Sequence, residues 1–190
     1  MSCAVTVVVK TVVPALSVMG TLATPLSSGR TPLSFMLAVP SAGAALSVFP
    51  VAGRHWSWNK QPCGYNDYYR GSGTNHPNGH IGNDIFAALG TPLVAAVSGT
   101  VVRAGYGGSV GGNRVTLKRG NWYFYYAHMN SVSVRAGQNV KAGDKVGTLG
   151  KTGSAQGTEP HVHFSIYAGD NYNAGVNPFP YAKRVDGQCR

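Results

Sequence analysis

HVHFSIY, residues 161–167, alternates polar and apolar side chains along its whole length. Successive side chains of a β-strand point to opposite faces of the sheet, so this stretch predicts a strand with one wet face and one buried face. The apolar set, which we expect in a core, is Val162, Phe164 and Ile166. The set on the opposite face is His161, His163, Ser165 and Tyr167.

Similar short strands are predicted upstream of this stretch. They are Leu93–Val97, Thr100–Ala104, Asn113–Lys118, Trp122–His128 and Val146–Leu149. Glycine-rich turns separate them, and such spacing is typical of a β sandwich or a twisted antiparallel sheet. With 26 Gly, 11 Pro and 12% charged residues in 190, long helices and coiled coils are not expected. We therefore predict a mainly β fold, with a single antiparallel sheet or sandwich domain.

The first 54 residues differ in composition from the rest. They contain no Asp, Glu, Tyr or Asn, and prolines interrupt their apolar runs, so a membrane span is not predicted. Arg30, the apolar stretch 33–39 and the small residues Ala42-Gly43-Ala44 favour an export leader with its cleavage site. A disordered or wrongly assigned N-terminus is the alternative. We divide the chain into a leader, 1–54, and one folded domain, 55–190.

The formal net charge of +10 favours an anionic partner: nucleic acid, a membrane surface, or an acidic polymer such as a bacterial cell wall. The densest basic runs, Lys118-Arg119 and Lys183-Arg184, are too short for a nucleic-acid arm. A nucleic-acid partner is therefore not predicted. A basic surface that serves solubility alone is the simpler reading.

The three cysteines are Cys3, Cys63 and Cys189, and none forms a Cys-x-x-Cys pair. A thiolate zinc knuckle and a thioredoxin-type motif are therefore excluded. Loss of the leader would leave Cys63 and Cys189 near the two ends of the domain. We expect them to form a disulfide in an oxidising compartment, and to remain two free thiols in the cytosol.

Four histidines and one aspartate suggest metal chemistry. His161 and His163 share a strand face and can serve one site, although two polar residues on a wet face would look the same. His80 and Asp84 would lie about 13 Å apart in a regular strand. They can meet if the chain bends at Gly82-Asn83, since both residue types tolerate positive φ. His80, Asp84 and His163 then form a His₂Asp set with an open fourth position, the composition of a catalytic zinc site.

The remaining residues near this set have alternative readings. His128 ends a predicted strand and falls on the same face of it as Trp122, Phe124 and Tyr126. A partly buried core histidine is therefore the simpler interpretation. Glu159 is an alternative base, but its place before Pro160 predicts a loop. His76 is an alternative ligand and also reads as a loop residue. Aromatic residues that could line a peptide groove are Tyr106, Tyr126 and Trp122, although a core position is the simpler interpretation for Trp122 and Phe124.

Eight stretches carry a resemblance to a known family. They are His80–Asp84, Gly90–Ala96, Gly99–Tyr106, Tyr126–Met129, Val134–Asp144, Gly147–Gly150, Pro160–Phe164 and Val176–Pro178. In order and spacing, the chain from about His80 to Pro180 resembles the lysostaphin-type, or LytM-type, zinc endopeptidases. Departures from the family pattern are Asn83, Ser165 and Lys118-Arg119, and none of them removes a ligand or a catalytic histidine.

The resemblance implies an antiparallel β fold with a substrate groove over the sheet. It implies one zinc ion held by His80, Asp84 and His163, with His128 and His161 as catalytic histidines. It also implies peptidoglycan as the partner, with cleavage of cross-bridge or stem-peptide bonds. We expect a secreted, periplasmic or wall-associated protein that acts as a monomer.

The chemistry of these residues agrees with that implication. His-Glu-x-x-His is absent, so the usual glutamate base is missing and a histidine near neutral pKa can replace it. We expect His161 to accept the proton of the attacking water and His128 to stabilise the oxyanion, although the two roles can be exchanged. A noncatalytic wall-binding or activator module is the alternative, and the complete ligand set argues against it. A biotinyl or lipoyl carrier would need a Met-Lys-Met tip, which the sequence lacks.

Overall fold

The computed structural model describes residues 41–68 and 79–189. This part of the chain belongs to one compact unit. Within it, no helix has both the length and the apolar character needed to cross a membrane.

Two antiparallel sheets form the domain. The strands are β1 His55–Trp56, β2 Asn83–Ala87, β3 Pro92–Val94, β4 Gly99–Tyr106, β5 Asn113–Arg119, β6 Trp122–Met129, β7 Ser131–Val132, β8 Asn139–Val140, β9 Lys145–Thr148, β10 His161–Ala168 and β11 Gly175–Val176. The larger sheet has the order β1-β2-β10-β6-β5-β4-β8, with β11 also paired to β10, and the smaller sheet has the order β3-β9-β7. An α-helix, α1, spans Phe179–Val185, and short 3₁₀ turns lie at Ala42–Ala44, Gly153–Gly157, Tyr172–Ala174 and Gly187–Cys189.

Strand β10 lies inside the larger sheet and pairs with both β2 and β6. Its apolar side chains, Val162, Phe164 and Ile166, are fully buried in a core that also takes Leu93 and Val146 from the smaller sheet. The alternation of residues 161–167 therefore has the predicted sense, and the mainly β antiparallel fold is confirmed. Residues 95–97, predicted as part of a strand, are buried but lie beyond the end of β3.

The domain begins before residue 55, which corrects the boundary expected from composition. Phe49 and Val51 lie in the core, and Val51 forms a bridge with Leu93. Gly43 lies against the Trp122 ring with no space for a Cβ, and the Arg119 guanidinium donates to the Gly43 carbonyl oxygen. The segment from Ser41 is low in charge because it supplies apolar side chains to this core. The expected cleavage site lies within this packed segment, and a leader remains a prediction.

Cys63 and Cys189 form the predicted disulfide, with an S–S distance of 2.07 Å and a Cα–Cα distance of 5.6 Å. Beneath it lies a buried network centred on Asp186. The Asp186 Oδ2 atom accepts from Tyr65 Oη at 2.8 Å and pairs with His55 Nε2 at 2.9 Å. The disulfide and this network tie the first strand of the domain to its C-terminal end.

Candidate active site

A groove of about 1060 Å³ lies over the open face of the larger sheet. Strands β2, β6 and β10 supply its floor, and the loop 107–112 and the turn Gly153–Gly157 lie at its side. The predicted site residues all line this groove: His80, Asp84, His128, His161 and His163. One face of the larger sheet therefore packs against the core, and the opposite face forms the floor of the groove.

Three ligand atoms converge on the groove floor. His80 Nε2 lies 3.1 Å from Asp84 Oδ1 and 3.0 Å from His163 Nδ1, and the last two atoms lie 2.9 Å apart. Strand pairing explains part of this, because Asp84 and His163 are direct partners across β2 and β10. Zinc bonds of 2.0–2.1 Å in a tetrahedral site place ligand atoms about 3.3 Å apart, so these residues fit a zinc ion. The group could hold a metal ion with one side open to the groove.

His80 reaches Asp84 because the chain bends just before β2, as the sequence predicts. The bend does not use a positive φ at Gly82 or Asn83, so that part of the explanation is wrong. A Cβ at Gly82 would lie 2.6 Å from His163 Cε1 and 2.7 Å from Ser165 Oγ. Glycine is required there because the His163 ring passes directly over the backbone.

Asp67 orients His80 and Asp84, and nothing in the sequence pattern pointed to it. The Asp67 carbonyl oxygen accepts from His80 Nδ1 at 3.0 Å, which directs Nε2 toward Asp84 and His163. Its side chain accepts from the Asp84 backbone N–H at 3.1 Å and from Asn83 Nδ2 at 3.2 Å. Asn83, a departure from the family pattern, thus helps to fix Asp67.

The electrostatics of the site favour a bound cation. Burial opposes the protonated form of His80, but Asp84 and Asp67 outweigh it and raise its pKa to about 9. Burial also opposes the charge of Asp84, yet hydrogen bonds from His163 and His80 hold its pKa well below the usual range. Without a metal, the carboxylate is thus stabilised by a protonated imidazole, and metal binding would displace that proton.

His163 is held in the tautomer opposite to that of His80, with its ring hydrogen on Nε2. Its Nε2 atom lies 2.9 Å from Ser165 Oγ and 2.8 Å from Tyr172 Oη. Because Ser165 Oγ donates to the Ile81 carbonyl oxygen at 2.6 Å, it accepts the hydrogen of His163 Nε2. Nδ1 is then left for the metal. Ser165, the second departure from the family pattern, thus orients a candidate metal ligand.

His161 and His128 face each other beside the three ligands, with ring centroids 4.9 Å apart. His161 Nδ1 lies 2.9 Å from the Glu159 carbonyl oxygen, and His128 Nδ1 lies 3.0 Å from that of Thr152. Each Nδ1–H donates to a carbonyl, so each ring presents Nε2 as an acceptor. His161 Nε2 lies 3.8 Å from Asp84 Oδ2. Burial, with repulsion from His161, lowers the pKa of His128 to about 4.

A β-bulge turns His128 into the groove. Between the pairs Asn113–Met129 and Val115–Tyr126, β6 has one residue more than β5. His128 also has a φ of 61°, in the left-handed region that non-glycine residues rarely adopt. The strand alternation, which grouped His128 with the core residues, fails here for that reason. Bulges often re-aim a side chain next to an active site.

Two of the aromatic residues that the sequence offered for the groove, Tyr106 and Tyr126, do not line it. Tyr126 is fully buried and its hydroxyl bonds the backbone of Val94 and Ala96, while Tyr106 is 73% exposed outside the groove. Trp122 packs against the core, as its core interpretation predicts, and lies beneath the N-terminal segment. The tyrosines that do line the groove are Tyr125, Tyr167 and Tyr172. Tyr125 and Tyr167 follow the alternation of β6 and β10 on the face opposite the core, and Tyr172 comes from the 3₁₀ turn Tyr172–Ala174.

The remaining candidates do not join the ligands. The Glu159 carboxylate is exposed and pairs with Lys60, so Glu159 contributes to the site through its backbone carbonyl. His76 lies outside the described residues. His55 belongs to the Asp186 network and not to the groove.

Comparison with known proteins agrees with this architecture. Lysostaphin from Staphylococcus simulans is 35% identical over 127 residues, which are 62% of this chain and 25% of lysostaphin. The murein hydrolase activator NlpD of Salmonella dublin is 32% identical over 144 residues, which are 75% of this chain and 34% of NlpD. The catalytic domain of S. simulans lysostaphin superposes with a TM-score of 0.56 at 32% identity, covering 61% of this chain and 88% of that domain.

The chain spans about a quarter of the length of lysostaphin and a third of that of NlpD. The profile of Peptidase family M23 matches residues 78–178, which is more than half of the chain and includes every residue of the three-ligand cluster. The chain therefore belongs to peptidase family M23, which confirms the resemblance to the lysostaphin-type peptidases.

Proposed function

We propose that this chain is a zinc-dependent endopeptidase that hydrolyses peptide bonds of bacterial peptidoglycan. The observation that carries the proposal is the convergence of His80 Nε2, Asp84 Oδ1 and His163 Nδ1 within 3.1 Å on the floor of an open groove. Two nitrogens and one carboxylate oxygen, with a free fourth position, form the donor set of a catalytic zinc site. A zinc ion there supplies Lewis-acid chemistry, since it makes water more acidic and polarises the scissile carbonyl.

His161 is assigned the role of proton acceptor. Its Nε2 atom is unprotonated while Nδ1–H donates to the Glu159 carbonyl oxygen, and it lies beside Asp84. A histidine base replaces the glutamate of the His-Glu-x-x-His peptidases. The backbone contact holds the imidazole in the tautomer that this step needs.

His128 is assigned to orienting the attacking water. With Nδ1–H donated to the Thr152 carbonyl oxygen, neutral His128 offers an acceptor at Nε2. The expected oxyanion role needs a hydrogen on that nitrogen, so His128 can take it only after accepting a proton. His128 and His161 can still exchange roles, because both present Nε2 to the same space.

Peptidoglycan is the proposed partner and the extracytoplasmic side of the cell is the proposed location. The peptidase relatives include lysostaphin and the peptidoglycan DD-endopeptidase ShyC from Vibrio cholerae, which is 34% identical over 113 residues. A Cys63–Cys189 disulfide suits an oxidising compartment. A charge of +10 suits an anionic wall and predicts affinity that falls as salt rises.

Replacing His161 and His128 singly by Ala separates zinc binding from catalysis. We expect both variants to keep zinc, while release of soluble fragments from purified peptidoglycan falls by at least about 100-fold. Mass analysis of the wild-type fragments would name the bond. Full activity in His161→Ala would refute the proposed base. Zinc binding without cleavage of any wall type by the wild type would favour the activator function that the name of NlpD describes.

A further inference from the structure

The five-glycine segment Gly105–Gly112 has a side-chain reason for its composition. A Cβ at Gly107 would overlap the Arg114 side chain, and a Cβ at Gly111 would overlap the Tyr125 hydroxyl. The loop therefore lies directly on Arg114 and Tyr125, and larger residues would push it away. The glycines therefore allow the loop to lie directly over an arginine and a tyrosine at the side of the groove.

Arg114 differs from the other groove-lining arginine in its electrostatic partners. Arg103 forms two hydrogen bonds with the carboxylate of Asp170, at 2.8 and 2.7 Å. Arg114 lies beside the hydroxyl of Tyr125, a neutral group, and interacts with it. Among residues 41–68 and 79–189, no carboxylate oxygen lies within 4 Å of the Arg114 guanidinium. A half-buried guanidinium thus lines the groove with its charge unpaired within the described chain.

The sheet register places Arg114 at a definite distance from the ligand cluster. His163 on β10 pairs with Ala127 on β6, and Arg114 on β5 lies opposite the bulge at Ala127–His128. Two strand spacings separate β10 from β5, which is about 10 Å. An extended peptide covers that distance in about three residues, at 3.3–3.6 Å each. A substrate that crosses the strands at the ligands would therefore present a nearby residue to Arg114.

We propose that Arg114 forms a subsite for a carboxylate of a peptidoglycan stem peptide, about three residues from the scissile bond. The planar guanidinium matches a carboxylate with two parallel hydrogen bonds, and a half-buried position strengthens them. A glycine cross-bridge has no carboxylate along its chain, whereas a stem peptide carries one on glutamate and one at its terminal D-alanine. The inference rests on the proposed function for the nature of the substrate, and it selects stem peptides over glycine bridges.

Binding can be measured separately from cleavage. The zinc-loaded full chain carrying His161→Ala would be titrated by calorimetry with the tetrapeptide L-Ala-γ-D-Glu-L-Lys-D-Ala, with both carboxylates free or both amidated. We expect the acidic peptide to bind about 10- to 100-fold more tightly. Adding Arg114→Gln should remove this preference, and Arg114→Lys should restore part of it. Two singly amidated peptides show which carboxylate is bound.

Arg135→Gln is the matched control, because it removes the same charge from an exposed position outside the groove. It should leave the preference unchanged. Equal affinity for the two peptides, no binding of either, or a preference that survives Arg114→Gln would each overturn the subsite. A preference that survives Arg114→Gln is also the result expected if zinc coordinates the carboxylate directly. Failure of the proposed function is a different result: the zinc-loaded wild type releases no fragments from peptidoglycan, whatever the peptide affinities.

Discussion

Gly82→Ala is a one-carbon change that tests the geometry of the site. The added Cβ would lie 2.6 Å from His163 Cε1 and 2.7 Å from Ser165 Oγ, whereas carbon atoms pack at about 3.5 Å or more. The His163 ring must therefore move by about 1 Å. Metal sites tolerate displacements of about 0.2 Å in ligand distance. We expect zinc affinity to fall about 10- to 100-fold, peptidoglycan cleavage to fall by about 100-fold, and stability to fall by about 1–3 kcal/mol.

Zinc affinity would be measured by competition with a chromophoric chelator, and stability by urea denaturation. Gly157→Ala is the control, because a Cβ there meets nothing within 4 Å and the residue is exposed. It should behave as the wild type in all three measurements. Wild-type zinc affinity and activity in Gly82→Ala would show that the His163 ring does not occupy the position described, and the ligand geometry would be refuted.

Three further changes test the framework around the site. Replacing Cys63 and Cys189 by Ala should lower the free energy of unfolding by up to about 5 kcal/mol, since the disulfide closes a separation of 126 residues; an unchanged urea midpoint would contradict this. Asp186→Asn weakens the hydrogen bonds from His55 and Tyr65 and should lower the free energy of unfolding by about 1–3 kcal/mol. Thermal melting measures this change, and an unchanged zinc content is the control. A chain starting at residue 55 should be less stable than one starting at residue 41 by about 5 kcal/mol or more, because it loses buried apolar side chains; equal melting temperatures would exclude a packing role for residues 41–54.

The strand face that carries the site could be predicted from the sequence because alternation is a local property. His161, His163 and Tyr167 line the groove, while Val162, Phe164 and Ile166 pack in the core on the opposite face, as the period of two requires. The bend that joins His80 to Asp84 was also predictable, since a regular strand cannot bring them together. Its physical basis, the passage of the His163 ring over Gly82, depends on a strand about 80 residues away and has no local signal.

His128 shows where alternation fails. The alternation of β6 places His128 on the core face, whereas the family resemblance places it in the active site. A bulge relative to β5 and a φ of 61° bring it to the groove, and both depend on pairing between strands. The wrong choice of Tyr126 as a groove residue, in place of Tyr125, comes from the same difficulty, because an aromatic strand gives no polarity contrast between its faces.

Composition misled the division of the chain. Residues 41–54 lack acidic residues and look like leader, yet Phe49 and Val51 complete the core beneath the smaller sheet. An apolar segment can be a leader or can pack into a protein core. The two cases are distinguished only by the surface that the segment packs against, which its composition does not reveal. Asp67 could not be found for a related reason, because its contacts to His80 and Asp84 connect segments that are separate in sequence.

In the proposed function, the three converging side chains hold a zinc ion that is needed for peptidoglycan hydrolysis. This claim is tested most directly by measuring zinc content and release of wall fragments together, for the wild type and His163→Ala, each with and without a chelator. We predict about one zinc per wild-type chain, and loss of fragment release both on chelation and in the folded variant. Fragment release that persists in zinc-free protein, or a wild type that binds no zinc, would contradict the account.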